Sequence, residues 1–168
     1  MWLRRARVPA LLVTDQKNVQ YLTGITISAG VLLQEKRRTT LFVDDRYIER
    51  ARDACRRMRV RHMRDFSHVM QHIRRCGFEA DHVTVHQRDS WKKRFPRTRF
   101  IPRTGIIEYG RRQKRPEELR ALRRAERITE ELLRRVPRVL RGGIREQELA
   151  WKLQLWAHEL GADGLSFD

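Results

Sequence analysis

A change of pattern near Gly110 constrains this chain more than any other feature. Before it, short apolar runs alternate with helical stripes. After it come only two amphipathic helices, spanning about Pro116 to Leu160, each with one apolar face. The segment Gly161-Ala162-Asp163-Gly164-Leu165-Ser166-Phe167-Asp168 then begins what reads as a strand. A helix stripe must be buried against another layer. Two helices and the first residues of a strand supply little to cover two such stripes. The expectation is a complete N-terminal lobe over residues 1–108, followed over 109–168 by the start of a second domain that is truncated here.

Within the first part, Ala10-Leu11-Leu12-Val13-Thr14 is a short apolar run ending at Asp15 and reads as a buried strand. Asn18 to Gly24 reads as a turn or short helix. Ile27 to Gln34 and Thr39 to Val43 form a hairpin around Glu35-Lys36-Arg37-Arg38. Asp44-Asp45 is expected to cap a helix whose stripe is Tyr47/Ile48, Ala51, Ala54/Cys55 and Met58. Arg59 to Met63 alternates as a strand. Phe66, Val69, Met70 and Ile73 predict a helix stopped by Gly77. His82 to His86 predicts a strand, Asp89 to Phe95 a short helix, and Arg99-Phe100-Ile101 a last strand closed by Pro102. The sum is a mixed-sheet α/β lobe.

The second part opens well as a helix. Arg115-Pro116-Glu117-Glu118 places proline at the first helical position and acids in the first turn. Leu119, Leu122, Ala125, Ile128, Leu132, Leu133 and Val136 share a face, and Pro137 is expected to stop or kink the helix. Glu130 and Glu131 stand four residues before Arg134 and Arg135, the favourable orientation. After Arg141-Gly142-Gly143-Ile144, a second helix runs from about Glu146 to Leu160 and ends at Gly161.

Composition narrows the function classes. The net charge is +17, and lysine occurs only at Lys17, Lys36, Lys92, Lys93, Lys114 and Lys152, so the excess is arginine. The arginines run from Arg4 to Arg145, many beside acids on predicted helices, which favours a solvated basic surface over a nucleic-acid site. The densest stretch, Arg57, Arg59, Arg61 and Arg64, lacks interleaved aromatics for base stacking. No apolar run approaches a membrane span, and the basic N-terminus lacks a long apolar core. Cys55 and Cys76 have neither metal-type nor redox-type spacing. A cytoplasmic, reduced protein fits these features.

Five segments resemble, in order, the aminopeptidase P, prolidase and creatinase family. They are Asn18-Val19-Gln20-Tyr21-Leu22-Thr23-Gly24; Asp44/Asp45-Arg46-Tyr47; Arg112-Gln113-Lys114-Arg115-Pro116-Glu117-Glu118-Leu119; Gly143-Ile144-Arg145-Glu146-Gln147-Glu148-Leu149-Ala150; and Gly161-Ala162 with Ser166-Phe167-Asp168. The resemblance implies a creatinase-like N-terminal lobe followed by two helices of an incomplete pita-bread domain. It implies an Xaa-Pro aminopeptidase-like parent enzyme using two divalent metal ions (manganese, cobalt or zinc) and a peptide substrate. A homo-oligomer assembled through the N-terminal lobe is implied too. All five metal ligands of that family would fall after Asp168, so the resemblance assigns no catalytic, cofactor-binding or metal-binding residue to this sequence. The chain alone is expected to be inactive.

The residues of the first two motifs have structural uses. Asn18 can cap a turn through its side chain, Gly24 can take positive φ, and Tyr21 and Leu22 can pack the turn on the sheet. Arg145 stands where the family usually has threonine, so the second helix should lose about 1 kcal/mol of capping. Other constellations are weaker. His68 and His72 stand four apart on a predicted helix, without a third ligand. His82 and His86 share a predicted strand face without a partner acid. Ser67-His68 is a sequence adjacency only. Two rival functions remain: a stand-alone interaction or oligomerisation module using the apolar helix faces, and, as the weaker one, a basic nucleic-acid-binding domain.

Overall fold

The computed structural model describes residues 2–140 and 142–165. The chain divides into two compact units, Met1–Gln113 and Lys114–Asp168. The first unit contains one six-stranded mixed sheet with helices on both faces. Its strands are β1 (Ala10–Val13), β2 (Gly30–Glu35), β3 (Arg38–Val43), β4 (Arg59–His62), β5 (Arg75–Glu79) and β6 (Arg99–Arg103), in spatial order β4-β3-β2-β1-β5-β6. Pairing is antiparallel for β1/β2 and β2/β3 and parallel for β3/β4, β1/β5 and β5/β6.

Alternation along the strands makes two cores. Leu11 and Val13 of β1, with Leu32, Leu41 and Val43, face one side. Onto that side pack α1 (Trp2–Ala6), α2 (Gln16–Thr23), α3 (Ile48–Ala54) and α6 (Ile106–Arg112) through Ala6, Val19, Ile48, Ala51, Ile106 and Ile107. Ala10 and Leu12, with Leu33, Phe42, Cys76, Phe78 and Phe100, face the other side. There α4 (Phe66–Met70) and α5 (Val85–Arg94) close the layer. Phe42, Phe66 and Phe95 meet edge to face, at 5.3 and 5.9 Å between successive centroids. Burial of Cys76 in this layer pushes its thiol up to about 12.

The hairpin forms as expected, with Glu35 opposite Arg38 and a two-residue turn, Lys36-Arg37. Gly24 takes φ +78° after α2 and donates to the Gln20 carbonyl at 2.7 Å, the left-handed helix end that an L side chain resists.

Other expectations fail for identifiable reasons. Arg75–Glu79 is a strand buried between β1 and β6, so Gly77 lies inside a ladder and stops no helix. A strand with one glycine and no β-branched residue carries little local signal. Helix α4 already ends at Met70; Ile73 instead closes a turn on the Met70 carbonyl at 3.0 Å. His82 to His86 is no strand. Thr84 caps α5, accepting from Gln87 N at 3.1 Å while Gln87 Oε1 accepts from Thr84 N at 3.0 Å. That reciprocal cap was written in the sequence as Thr-x-x-Gln. Of the two valines, Val83 is buried and Val85 is 66% exposed. Asp44 does not cap α3; it turns back on Arg46, while Asp45 bonds His62 Nδ1 at 2.8 Å. Pro102 sits within β6, opposite Phe78, because an edge strand tolerates a missing N–H.

The second unit holds α7 (Pro116–Val139) and α8 (Glu146–Glu159). Arg115 N donates to Glu118 Oε2 at 2.8 Å at the start of α7. Pro137 lies inside α7, which continues only to Val139 before ending. Helix α8 ends as expected at Gly161, φ +82°, with Ala162 N on the Ala157 carbonyl and Gly161 N on the His158 carbonyl, both at 2.9 Å. Gly161–Leu165 forms no strand, and Ser166-Phe167-Asp168 lies outside the described residues.

Candidate functional site

In open α/β sheets the crevice outside the carboxyl ends of parallel strands is the usual ligand position. Here β1 and β5 run parallel, with Leu12 beside Phe78, so their ends deliver Thr14-Asp15 and Glu79 side by side. The chain turns at Asp15 into α2, and Asp15 Oδ1 caps that helix by accepting from Lys17 N at 3.1 Å. The capping role expected of Asn18 therefore belongs to Asp15.

Asn18 does something else. It is fully buried one turn into α2 and joins three elements. Its Nδ2 donates to Glu79 Oε1 at 2.7 Å and to Glu108 Oε1. Its Oδ1 accepts from Arg111 at 2.9 Å. Glu108 and Arg111 are three apart on α6 and so share a face. Glu79 Oε2 accepts from Thr14 N at 2.6 Å and Asp15 N at 2.9 Å. Burial pushes the Glu79 carboxyl above its ordinary range; the Asp15 and Thr14 amides and the Asn18 side chain oppose this, and the nearby Asp15 charge adds to it.

A cleft of about 110 Å³ opens beside this network, lined in part by Asp15, Glu79, Asp81, His82, Arg103 and Glu108. Its buried acid is satisfied by the protein's own donors. Gly105 N donates to Asp81 at 3.2 Å, and Arg103 Nε donates to the Ala6 carbonyl at 2.5 Å. The arrangement ties α2, β5 and α6 together. The Thr14 hydroxyl also points to Glu79 Oε2, at 3.4 Å.

The two histidine pairs fall differently in the fold. His68 and His72 lie 5.4 Å apart between ring centroids, with Gln71 bonded to His68 Nδ1 at 3.1 Å, and only His68 lies on α4. His82 lines the cleft, whereas His86 is exposed on α5. Among the described residues no group of three or more His, Cys, Asp or Glu could hold a metal ion. No described helix is long and apolar enough to cross a membrane.

Two of the motif segments have clear local roles. Tyr21 and Leu22 pack partly buried on the first core. The Tyr47 hydroxyl bonds Ser28 Oγ at 2.8 Å, which lowers the phenol from its ordinary value, and Arg46 holds the Asp44 carboxyl low. Arg145 precedes α8 in extended conformation and makes no side-chain cap bond.

Sequence reasoning missed Glu79, Glu108 and Arg111. A signal for Glu79 existed: Cys76-Gly77-Phe78 runs into an acid, as Leu11-Leu12-Val13 runs into Thr14-Asp15. Arg111 and Glu108 carried none, because only the packing of α6 brings them to Asn18.

Residues 1–113 match the Creatinase/Prolidase N-terminal domain family. An uncharacterized peptidase of Bacillus subtilis, YqhT, is 27% identical over 170 residues, covering 96% of this chain and 48% of the relative. The structure of an Xaa-Pro dipeptidase from Bacillus anthracis superposes with a TM-score of 0.90 at 25% identity, covering 99% of this chain and 48% of that one. The N-terminal domain of the cytoplasmic peptidase PepQ from Mycobacterium tuberculosis is 26% identical with a TM-score of 0.58, covering 64% of this chain and 90% of that one. The chain thus spans about half the length of the full-length relatives it matches, and it aligns with their N-terminal half.

Proposed function

This chain belongs to the creatinase/prolidase N-terminal domain family, and from that premise we propose that it is the N-terminal part of an Xaa-Pro peptidase and has no peptidase activity by itself. The carrying observation is the extent of the match: nearly the whole chain aligns with the first half of such enzymes. The α/β lobe and the two helices are then the non-catalytic lobe and the opening of a pita-bread domain. The parent reaction is hydrolysis of the peptide bond before proline, which releases the N-terminal residue. In such an enzyme, two divalent ions such as manganese, cobalt or zinc would activate water and offset negative charge, held by residues outside those described here. The residues of this chain supply scaffold instead: the Asn18 network holds α6 on the sheet. A cytoplasmic location and self-association through the lobe belong to the same proposal.

The test is an Xaa-Pro peptide assay with added manganese or cobalt. The chain alone gives no release above blank. A fusion to the remaining half of the Bacillus subtilis relative is expected to gain turnover. Turnover by the 168 residues alone overturns the proposal.

One observation favours a second reading, a free-standing interaction module. Leu122, Leu133, Trp151 and Leu155 of α7 and α8 are 53 to 71% exposed. Light scattering separates the two: a stable, discrete dimer favours the module, and open-ended association favours a part of a larger enzyme.

A further inference from the structure

The fold gathers cations that the sequence keeps apart. Strand β3 begins at Arg38, straight out of the hairpin turn Lys36-Arg37. Its parallel neighbour β4 begins at Arg59, and the register sets Thr40 beside Arg59. Two residues back along the two chains are Arg38 and Arg57. Parallel pairing therefore brings Lys36, Arg37 and Arg38 to the same end of the sheet as Arg56, Arg57 and Arg59. All six are exposed. Among the described residues none of the six forms an ion pair, although ion pairs occur elsewhere, as at Arg46–Asp44 and Arg88–Asp89. The acid next to the turn, Glu35, turns one carboxylate oxygen inward, where it is buried. A hollow of about 330 Å³ opens beside the turn, lined by Pro9, Glu35, Lys36, Arg37 and Arg38.

We propose that this end of the sheet, continued along edge strand β4 by Arg61 and, in the turn after it, by Arg64, is a docking surface for the phosphate backbone of a nucleic-acid duplex. Three observations select that partner. Six exposed cations gather here, and none of them is in an ion pair among the described residues, so the charge complement is a dense polyanion. They continue as a row, because Arg59 and Arg61 share one face of β4 about 6.6 Å apart, which suits a polymer of phosphates better than a single anion. No large apolar or aromatic side chain between residues 36 and 64 is exposed. An anionic membrane surface normally takes interleaved apolar anchors, and a single strand takes stacking platforms. Backbone contacts to a duplex need neither, and they carry no sequence preference.

The test is binding of a 20-base-pair DNA or RNA duplex of arbitrary sequence to the whole chain, with salt varied. Six phosphate contacts predict about a thousandfold loss of affinity between 50 and 200 mM salt. The triple variant Arg37→Gln/Arg57→Gln/Arg59→Gln is expected to reduce the salt slope by about 2.7. A control with the same charge change on exposed α7 positions, Arg120→Gln/Arg123→Gln/Arg127→Gln, keeps the wild-type slope. Equal losses in the two triple variants overturn the proposal, since they mean that net charge alone drives binding. Absence of duplex binding at 50 mM salt overturns it too. So does binding to phosphatidylserine vesicles without binding to duplex.

Discussion

The two units of this chain use the same residue types to different ends. In Met1–Gln113, leucines, valines and phenylalanines of the inner strands are shut between helices on both faces, and side chains such as Leu12, Phe42 and Val43 have no exposure. In Lys114–Asp168, only Leu132 and Ala157 are buried among the described hydrophobic residues, while Leu119, Leu122, Leu133, Leu140, Trp151 and Leu155 stand exposed. Helix α7 has a strong apolar stripe, yet a stripe stabilises only when something covers it. The first unit carries its own cover in its sequence. The lesson is that an amphipathic pattern fixes a helix without fixing a core.

The sharpest way to break this comparison is truncation in both units. Phe42→Ala removes a fully buried ring from the Phe42–Phe66–Phe95 stack and should destabilise the lobe by about 3–5 kcal/mol in denaturant unfolding. Leu133→Ala, at a position 64% exposed, should change stability by less than about 0.5 kcal/mol. Equal effects would abolish the distinction between the units.

Next in size is Asn18→Ala. It removes the Asn18 amide from Glu79, Glu108 and Arg111, at a cost of about 2–3 kcal/mol. Hydrogen exchange should quicken in α6 more than in β2 or β3. Uniform quickening would mean that the network does not specifically hold α6.

Glu79 gives the lobe a pH dependence of definite sign. Its folded pKa is raised by burial above the unfolded glutamate value, about 4.3. The stabilisation linked to its proton is therefore fully present below that value and lost as pH rises through the folded pKa. Denaturation midpoints measured upward from pH 4 should decline across that window. Glu79→Gln, which cannot titrate, should flatten the decline; an unchanged profile would assign it to another group.

The smallest expected effect lies in the second unit. Arg145→Thr supplies the missing acceptor at the start of α8, where the backbone is already extended, and should strengthen the helix by about 1 kcal/mol. Helicity by circular dichroism checks it. No gain would mean that the amides at that helix start are already satisfied.

Much of this was legible in the residues, and the gaps are instructive. The hairpin, β1, the start of α7 and both helix-ending glycines were readable, since alternation, turn chemistry and caps act over a few residues. The strand Arg75–Glu79 was not, because its stability comes from ladders on both sides. At His82–His86 the alternating valines suggest a strand, but the local Thr84–Gln87 cap starts a helix there. The site was the least legible part. Asn18 looked like a local cap, yet its partners are 61, 90 and 93 residues away.

From the residues alone came the β2–β3 hairpin, the first strand, the two C-terminal helices and the family resemblance carried by five short motifs, all properties of neighbours along the chain. Tertiary structure alone decided that Glu79 is a buried hub joining β5 to Asn18, and that Lys36–Arg38 and Arg56–Arg59 form one basic end of the sheet. The reason is common to both. Burial, hydrogen-bond partners and electrostatic potential depend on distances between segments, and parallel strand pairing sets those distances only when the sheet assembles.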